Sequence, residues 1–260
     1  MPITATAPGS VTTIFAPRDG DASLGVSFAI ADGATVTLES ASETVVFLDG
    51  ERASIAPVTG VLDRLNVTAA VRVETEVPIG CGFGVSGAAT LATALAANEM
   101  EGLGHDRAAL VEAAHRAEVA AGTGLGDVFI QDRGGLVWDR GDGMQRMACT
   151  ETIGYSTFGN IATADVLGDA AAVETVTTVG RDALATLDPT DGLRPLFEAS
   201  WAFATRTGLA PDRVERAVAQ VHAAGGTATM AMVGETVVAV GETGILDNKT
   251  RITASGATLQ

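Results

Sequence analysis

Hydrophobic positions alternate through the first third of the chain. Val26, Phe28 and Ile30 share one face, Asp32-Gly33 reads as a turn, and Val36 and Leu38 resume the pattern. This period of two predicts a β-hairpin. A second hairpin is predicted over 45–48 and 52–55 around Asp49-Gly50. Val58, Val61, Leu62 and Leu65 keep helical spacing, and Val71, Val73, Thr75 and Val77 alternate again up to Pro78. The run 87–101 is apolar nearly all round and stops at Gly102, which predicts a buried helix. Asp106 caps a further helix that ends near Gly122. Strands are predicted at 128–130 and 136–138, with a turn at 140–143. Beyond residue 150 the texture changes to helical stretches at 171–187, 193–207 and 211–223, followed by the strand-like tracts TATMAMVG and TVVAVG. A boundary near 150 divides the chain into domains at 1–150 and 151–260.

Composition narrows the partners. The chain carries 16 Lys+Arg against 32 Asp+Glu, net −16, and Lys249 is its one lysine. Such a surface repels phosphate backbones, which argues against nucleic acid or an anionic membrane as partner. It suits either an ordinary acidic protein or one adapted to a high-salt cytoplasm, where salt screens self-repulsion. Cys81 and Cys149 form no disulfide framework and no zinc pattern. No apolar run is long enough to span a bilayer, and the start of the chain lacks a signal-peptide pattern. The expectation is a cytoplasmic protein.

The stretch PIGCGFGVSGAAT, 78–90, holds four glycines within eight positions. Gly82, Gly84 and Gly87 match GxGxxG, but the preceding strand alternates with Arg72, Glu74 and Glu76, and helix follows helix. A dinucleotide fold would need a continuously apolar strand and a second strand after the first helix. The Walker pattern fails because no lysine is present. What remains is a glycine loop feeding a helix N-terminus, either an anion site built from backbone N–H groups or a tight packing turn.

Two carboxylates stand out. On the helix that starts after Asp106, Leu110, Ala114, Ala117 and Ala121 define an apolar face, and Glu118 lies inside it. Glu112 and Arg116 lie opposite as a surface i,i+4 pair. A carboxylate on a core-facing stripe needs a partner. Glu118 either pairs with an arginine such as Arg72 or Arg116, or faces a site and holds Mg²⁺. Asp127 ends the glycine-bearing loop GTGLGD, either as a cap or turn residue or as a group facing a ligand. His115 receives no role.

PIGCGFGVSGAA resembles the second motif of the GHMP kinases, the superfamily of galactokinase, homoserine kinase and mevalonate kinase. APGSVTTIFAP sits where the first motif would be, and AAGGTATMAM, 223–232, where a degraded third would be. GFGVSGAA, AHRAEVAAGTGLGD and QDRGGLVW are similar to the archaeal branch that phosphorylates pantoate for coenzyme A synthesis. The resemblance implies a two-domain α+β fold, like ribosomal protein S5 domain 2 in its first half and ferredoxin-like in its second. It implies ATP and Mg²⁺ as cofactors, and Pro78, Gly80, Gly82, Gly84, Val85, Ser86, Gly87 and Ala88 around the ATP phosphates. Glu118 and Ser86 would hold the metal, and Asp127 would act as base toward the acceptor hydroxyl. A pantoate carboxylate calls for an arginine, for which Arg18 and Arg133 are candidates, and Ser23 and Ser27 would line the substrate pocket. A homodimer is possible. Val85 stands where relatives carry the first of two serines, and the lysine of the first motif in some relatives is absent. Kinases for mevalonate, shikimate or homoserine, and a nucleotide sensor without catalysis, remain as rival readings.

Overall fold

The structure is a computed structural model that describes residues 1–18, 22–161, 170–241 and 244–260. The chain opens with a long hairpin of β1 (Ile3–Pro17) and β2 (Ser23–Ser40), paired antiparallel. Asp32-Gly33 is therefore not a hairpin turn. It is an irregularity inside β2, where the register shifts from Gly9↔Ile30 to Pro8↔Gly33. A Cβ at Gly33 would meet the Ala7 carbonyl oxygen at 2.1 Å, so this glycine serves close approach of two strands. The irregularity also divides β2 between two neighbours. Residues before it pair with β6 (Leu136–Asp139), and residues after it pair with β5 (Ala69–Thr75).

The second predicted hairpin is present as β3 (Val45–Leu48) and β4 (Glu51–Ala53), with Asp49 and Gly50 both at positive φ. Helix α1 (Ala56–Leu65) buries Val58, Val61, Leu62 and Leu65. Helix α2 (Val85–Glu101) is buried on nearly every side and packs on β1 and β2. Helix α3 (Arg107–Ala121) starts at Asp106, whose side chain accepts from the Ala109 N–H, and ends at a left-handed Gly122. The stretch expected as a strand at 128–130 is instead a short helix, α4 (Asp127–Arg133). Its apolar run is too short for periodicity to separate helix from strand. Asp127 in its first turn and Gly134 at its end supply helix signals.

With β7 (Gln145–Met147) and β12 (Thr258–Leu259), these strands form an eight-stranded sheet of path order β12-β1-β2-β5-β3-β4, with β6 on β2 and β7 on β6. Only β3 and β5 run parallel. A second sheet has the order β11-β8-β10-β9: β8 is Thr152–Asn160, β9 Thr227–Ala231, β10 Gly234–Val240 and β11 Asn248–Arg251. Helix α5 (Ala170–Thr186) packs on β1 of the first sheet, and α6 (Leu193–Thr207) and α7 (Asp212–Ala223) pack on β9 and β10 of the second. The change of sheet falls between Met147 and Thr152, and the last strand returns to the first sheet. The fold is a two-domain α+β architecture. Among the described residues no helix is long and apolar enough to cross a membrane.

The two sheets meet at the glycine loop. Thr236 Oγ1 donates to the Cys81 carbonyl at 2.7 Å, and Met232 N–H donates to the Thr12 carbonyl at 3.0 Å. The tract 223–232 thus reaches the loop through β9: a Cβ on Gly82 would stand 3.0 Å from Ala231.

Candidate active site

A cavity of about 790 Å³ opens between the glycine loop, α1, α4 and the ends of β1, β2 and β6. Leu48, Ala53, Ile55 and Pro57 give part of it an apolar lining, and Thr12, Arg18, Ser23, Ser27, Trp138, Asp139 and the loop from Gly122 to Asp127 also line it.

Gly84 is the N-cap of α2 and lies in the left-handed region at φ 61°. A Cβ there would stand 2.1 Å from Ser10 Oγ, so glycine is required both for conformation and for space. No side chain caps the helix, and Val85, Ser86 and Gly87 of its first turn line the cavity. These N–H groups and the helix dipole favour an anion. Of the residues expected around phosphates, Gly80, Gly82, Gly84, Val85, Ser86 and Gly87 line the cavity. Pro78 and Ala88 do not.

Glu118 is 3% exposed, but its partner is neither Arg72 nor Arg116. Those arginines pair with Glu39 and Glu112. Glu118 instead accepts from three hydroxyls: Ser86 at 2.9 Å and Thr90 at 2.8 Å on Oε1, and Thr123 at 2.8 Å on Oε2. Asp127 Oδ1 accepts from Ser10 Oγ at 3.0 Å. Both carboxylates approach Gly124, at whose Cβ position Glu118 Oε2 and Asp127 Oδ2 would lie 3.3 and 3.5 Å away. Asp127 keeps some exposed surface on the cavity, yet protein atoms crowd its carboxyl. Burial pushes both carboxyls above the usual carboxylate range, and their hydroxyl donors oppose the shift. Proximity of Asp127 raises Glu118 further. Among the described residues neither carboxylate has an ion pair.

This arrangement fits a hard divalent cation. Mg²⁺ takes oxygen ligands and is commonly held by one or two carboxylates together with substrate phosphates. Glu118 and the Ser86, Thr90 and Thr123 hydroxyls form an all-oxygen set beside the helix N-terminus. The described residues contain no cluster of three or more His, Cys, Asp or Glu able to cage a metal alone.

The remaining expected residues divide. Arg18 and Ser23 line the cavity, as does Ser27, whose hydroxyl lies 2.9 Å from Thr12 Oγ1. Arg18 is the one arginine or lysine among the described lining residues. Residues 19–21 of its loop APRDGD lie outside the described residues. Arg133 is exposed at the end of α4 and does not line the cavity. His115 is buried against Phe129, with ring centroids 4.9 Å apart. Sequence reasoning missed Ser10, Thr90, Thr123 and Gln131. Thr90 stands one turn after Ser86 and Gln131 one turn after Asp127, spacings that place each pair on one helix face. Gln131 could be found that way only after α4 is recognised as a helix.

Residues 55–135 match the family model described as the GHMP kinases N terminal domain. The whole chain has the two-domain α+β fold of the GHMP kinases, and this stretch is similar to their N-terminal domain. The matched stretch carries the glycine loop, Glu118 and Asp127. A pantoate kinase of Methanospirillum hungatei is 28% identical over 258 residues, covering 92% of this chain and 88% of the relative. A pantoate kinase of Methanocaldococcus jannaschii is 26% identical over 224 residues, covering 80% and 82%. A solved structure described as a phosphotransferase related to the CoA biosynthesis pathway superposes with a TM-score of 0.84 at 22% identity, covering 100% of this chain and 99% of the other. Superfamily folds thus extend over both sheets of the chain.

Proposed function

We propose that this protein is an ATP-dependent kinase that phosphorylates a hydroxyl of a small hydroxy acid, with pantoate as the substrate and 4-phosphopantoate as the product. The observation that carries the reading is the pair Glu118 and Asp127, without an ion pair among the described residues and beside an uncapped helix N-terminus: Asp127 lines the cavity, and Glu118 lies buried behind the Ser86 and Thr123 hydroxyls that line it. Two such charges are costly in a purely structural role. They suit a site whose positive charge arrives with the ligand.

The uncapped N–H groups of Val85, Ser86 and Gly87 would bind phosphate oxygens, and the apolar lining of Leu48 and Ile55 would take the nucleotide's adenine. Ser86 and Glu118 would hold Mg²⁺, which supplies neutralisation of phosphate charge when bound. Asp127 would accept the proton of the attacking hydroxyl on its free oxygen, Oδ2. Arg18 would pair with the acceptor's carboxylate, and Ser23, Ser27 and Thr12 would orient its polar groups. The similarity to two archaeal pantoate kinases supports this choice among small alcohols. On this reading the domains would be 1–150 and 151–260, the setting cytoplasmic and haloarchaeal, and the product destined for coenzyme A synthesis.

The deciding experiment measures ADP release from MgATP in concentrated KCl, with pantoate, mevalonate, shikimate and homoserine supplied separately. Pantoate-dependent release is the expected result. Release with another acceptor alone overturns the substrate, and ATP binding without release under any acceptor overturns the kinase reading.

A further inference from the structure

The sequence carries no lysine near the cavity, and the group that touches Asp127 directly is a serine. Ser10 lies on β1 and is 1% exposed. Its backbone N–H donates to the Phe83 carbonyl of the glycine loop at 2.8 Å, which fixes its place. Its hydroxyl lies between two side chains of α4. Gln131 Nε2 donates to Ser10 Oγ at 3.3 Å, and Ser10 Oγ donates to Asp127 Oδ1 at 3.0 Å. A serine hydroxyl has one hydrogen. With the Gln131 N–H on its lone pair, that hydrogen is committed to Asp127. Gln131 is itself fully buried and gives its other N–H to the Gly84 carbonyl at 2.6 Å, at the N-cap of α2.

We infer that Ser10 is a positioning residue, held by Gln131, that fixes the Asp127 carboxylate with Oδ1 occupied and Oδ2 turned toward the acceptor. The inference rests on the kinase reading for its consequence in catalysis, and on geometry alone for the orientation of Asp127. Close packing enforces the relay. A Cβ at Gly87 would stand 2.8 Å from Gln131 Oε1 and 3.4 Å from Asp127 Cβ, so α4 lies directly against the first turn of α2. The same relay therefore registers the carboxylate against the glycine loop. Ser10 touches neither reacting oxygen nor phosphate in this scheme. It acts through Asp127.

The test uses Ser10→Ala and Ser10→Cys in the full chain. The cysteine keeps the volume and offers only a weak donor, so it serves if the alanine variant does not fold. Crystal structures are expected to show the Asp127 carboxylate rotated or split between orientations. An Asp127 carboxylate unmoved in both variants overturns the inference whatever the activity. Steady-state kinetics are expected to show kcat reduced about 10- to 100-fold, as for loss of a hydrogen bond to a charged group, with KM for ATP unchanged. A kcat equal to that of the parent, or a rise in KM for ATP that accounts for the whole loss, also overturns it. Failure of the parent chain to release ADP with any acceptor would overturn the kinase reading alone, and the crystal structures would still decide the orientation of Asp127.

Discussion

On the outer surface Glu39, Glu112, Asp132 and Asp182 each face an arginine, whereas Glu118 and Asp127 beneath the glycine loop face hydroxyls. An exposed pair contributes about 0–1 kcal/mol, because water already solvates both ions. A buried carboxylate costs several kcal/mol unless compensated. Among the described residues, arginines thus pair with carboxylates at the surface, and none pairs with the two beneath the glycine loop. The proposed metal ion would supply beneath the glycine loop the positive charge that arginines supply at the surface.

The sharpest way to break this comparison is Asp127→Asn. Turnover is expected to fall about 10²- to 10⁴-fold, the usual contribution of a general base. ATP affinity by calorimetry should be retained, and undiminished turnover would return Asp127 to the role of a helix-start residue. Glu118→Gln is expected to raise the Mg²⁺ concentration for half-maximal activity by about 10- to 100-fold. An unchanged metal dependence would remove it from the metal site. Arg18→Met should raise KM for the hydroxy acid about tenfold or more while KM for ATP stays constant. A uniform loss on both substrates would mean that Arg18 shapes the cavity instead.

Acidity sharpens the comparison without a ligand. Burial raises both carboxyls above their unfolded values, which lie near about pH 4. Their stability contribution is therefore fully present below the unfolded pKa and is lost as pH rises through the raised folded values. The thermal midpoint of Asp127→Asn should gain on that of the parent chain as pH rises from about 5 to about 8. A constant gap would mean that the carboxyl is not raised. The smallest effect is expected at the surface, where Arg116→Ala should cost about 0.5 kcal/mol or less by denaturant unfolding. A much larger loss would show that the outer pairs carry stability.

Long periodic stretches were legible in the chain before any coordinates. The buried helix after the glycine loop, the capped helix after Asp106 and the three later helices all stand where their patterns predict them. So did the misplaced carboxylate, since Glu118 inside an apolar stripe needs only helical geometry to be noticed. Asp32-Gly33 misled because the same dipeptide serves a turn and a strand irregularity, and only the partner strand distinguishes them. The stretch 128–130 misled because three apolar residues carry no period. Its helical state depends on packing against α2 at Gly84 and Gly87.

The order of residue types along the chain determined the elements, the acidic surface and the presence of a glycine loop before a helix, because each is a local or compositional property. It also singled out Glu118 and Asp127 as carboxylates in need of a reason. Only the tertiary structure decided what surrounds them. Ser10 and Gln131 lie 121 positions apart and meet because β1 and α4 converge on the first turn of α2. Which hydroxyl caps which oxygen, which arginine reaches the cavity and which stays outside are long-range choices. They are made by strand pairing and helix packing, which no local pattern encodes.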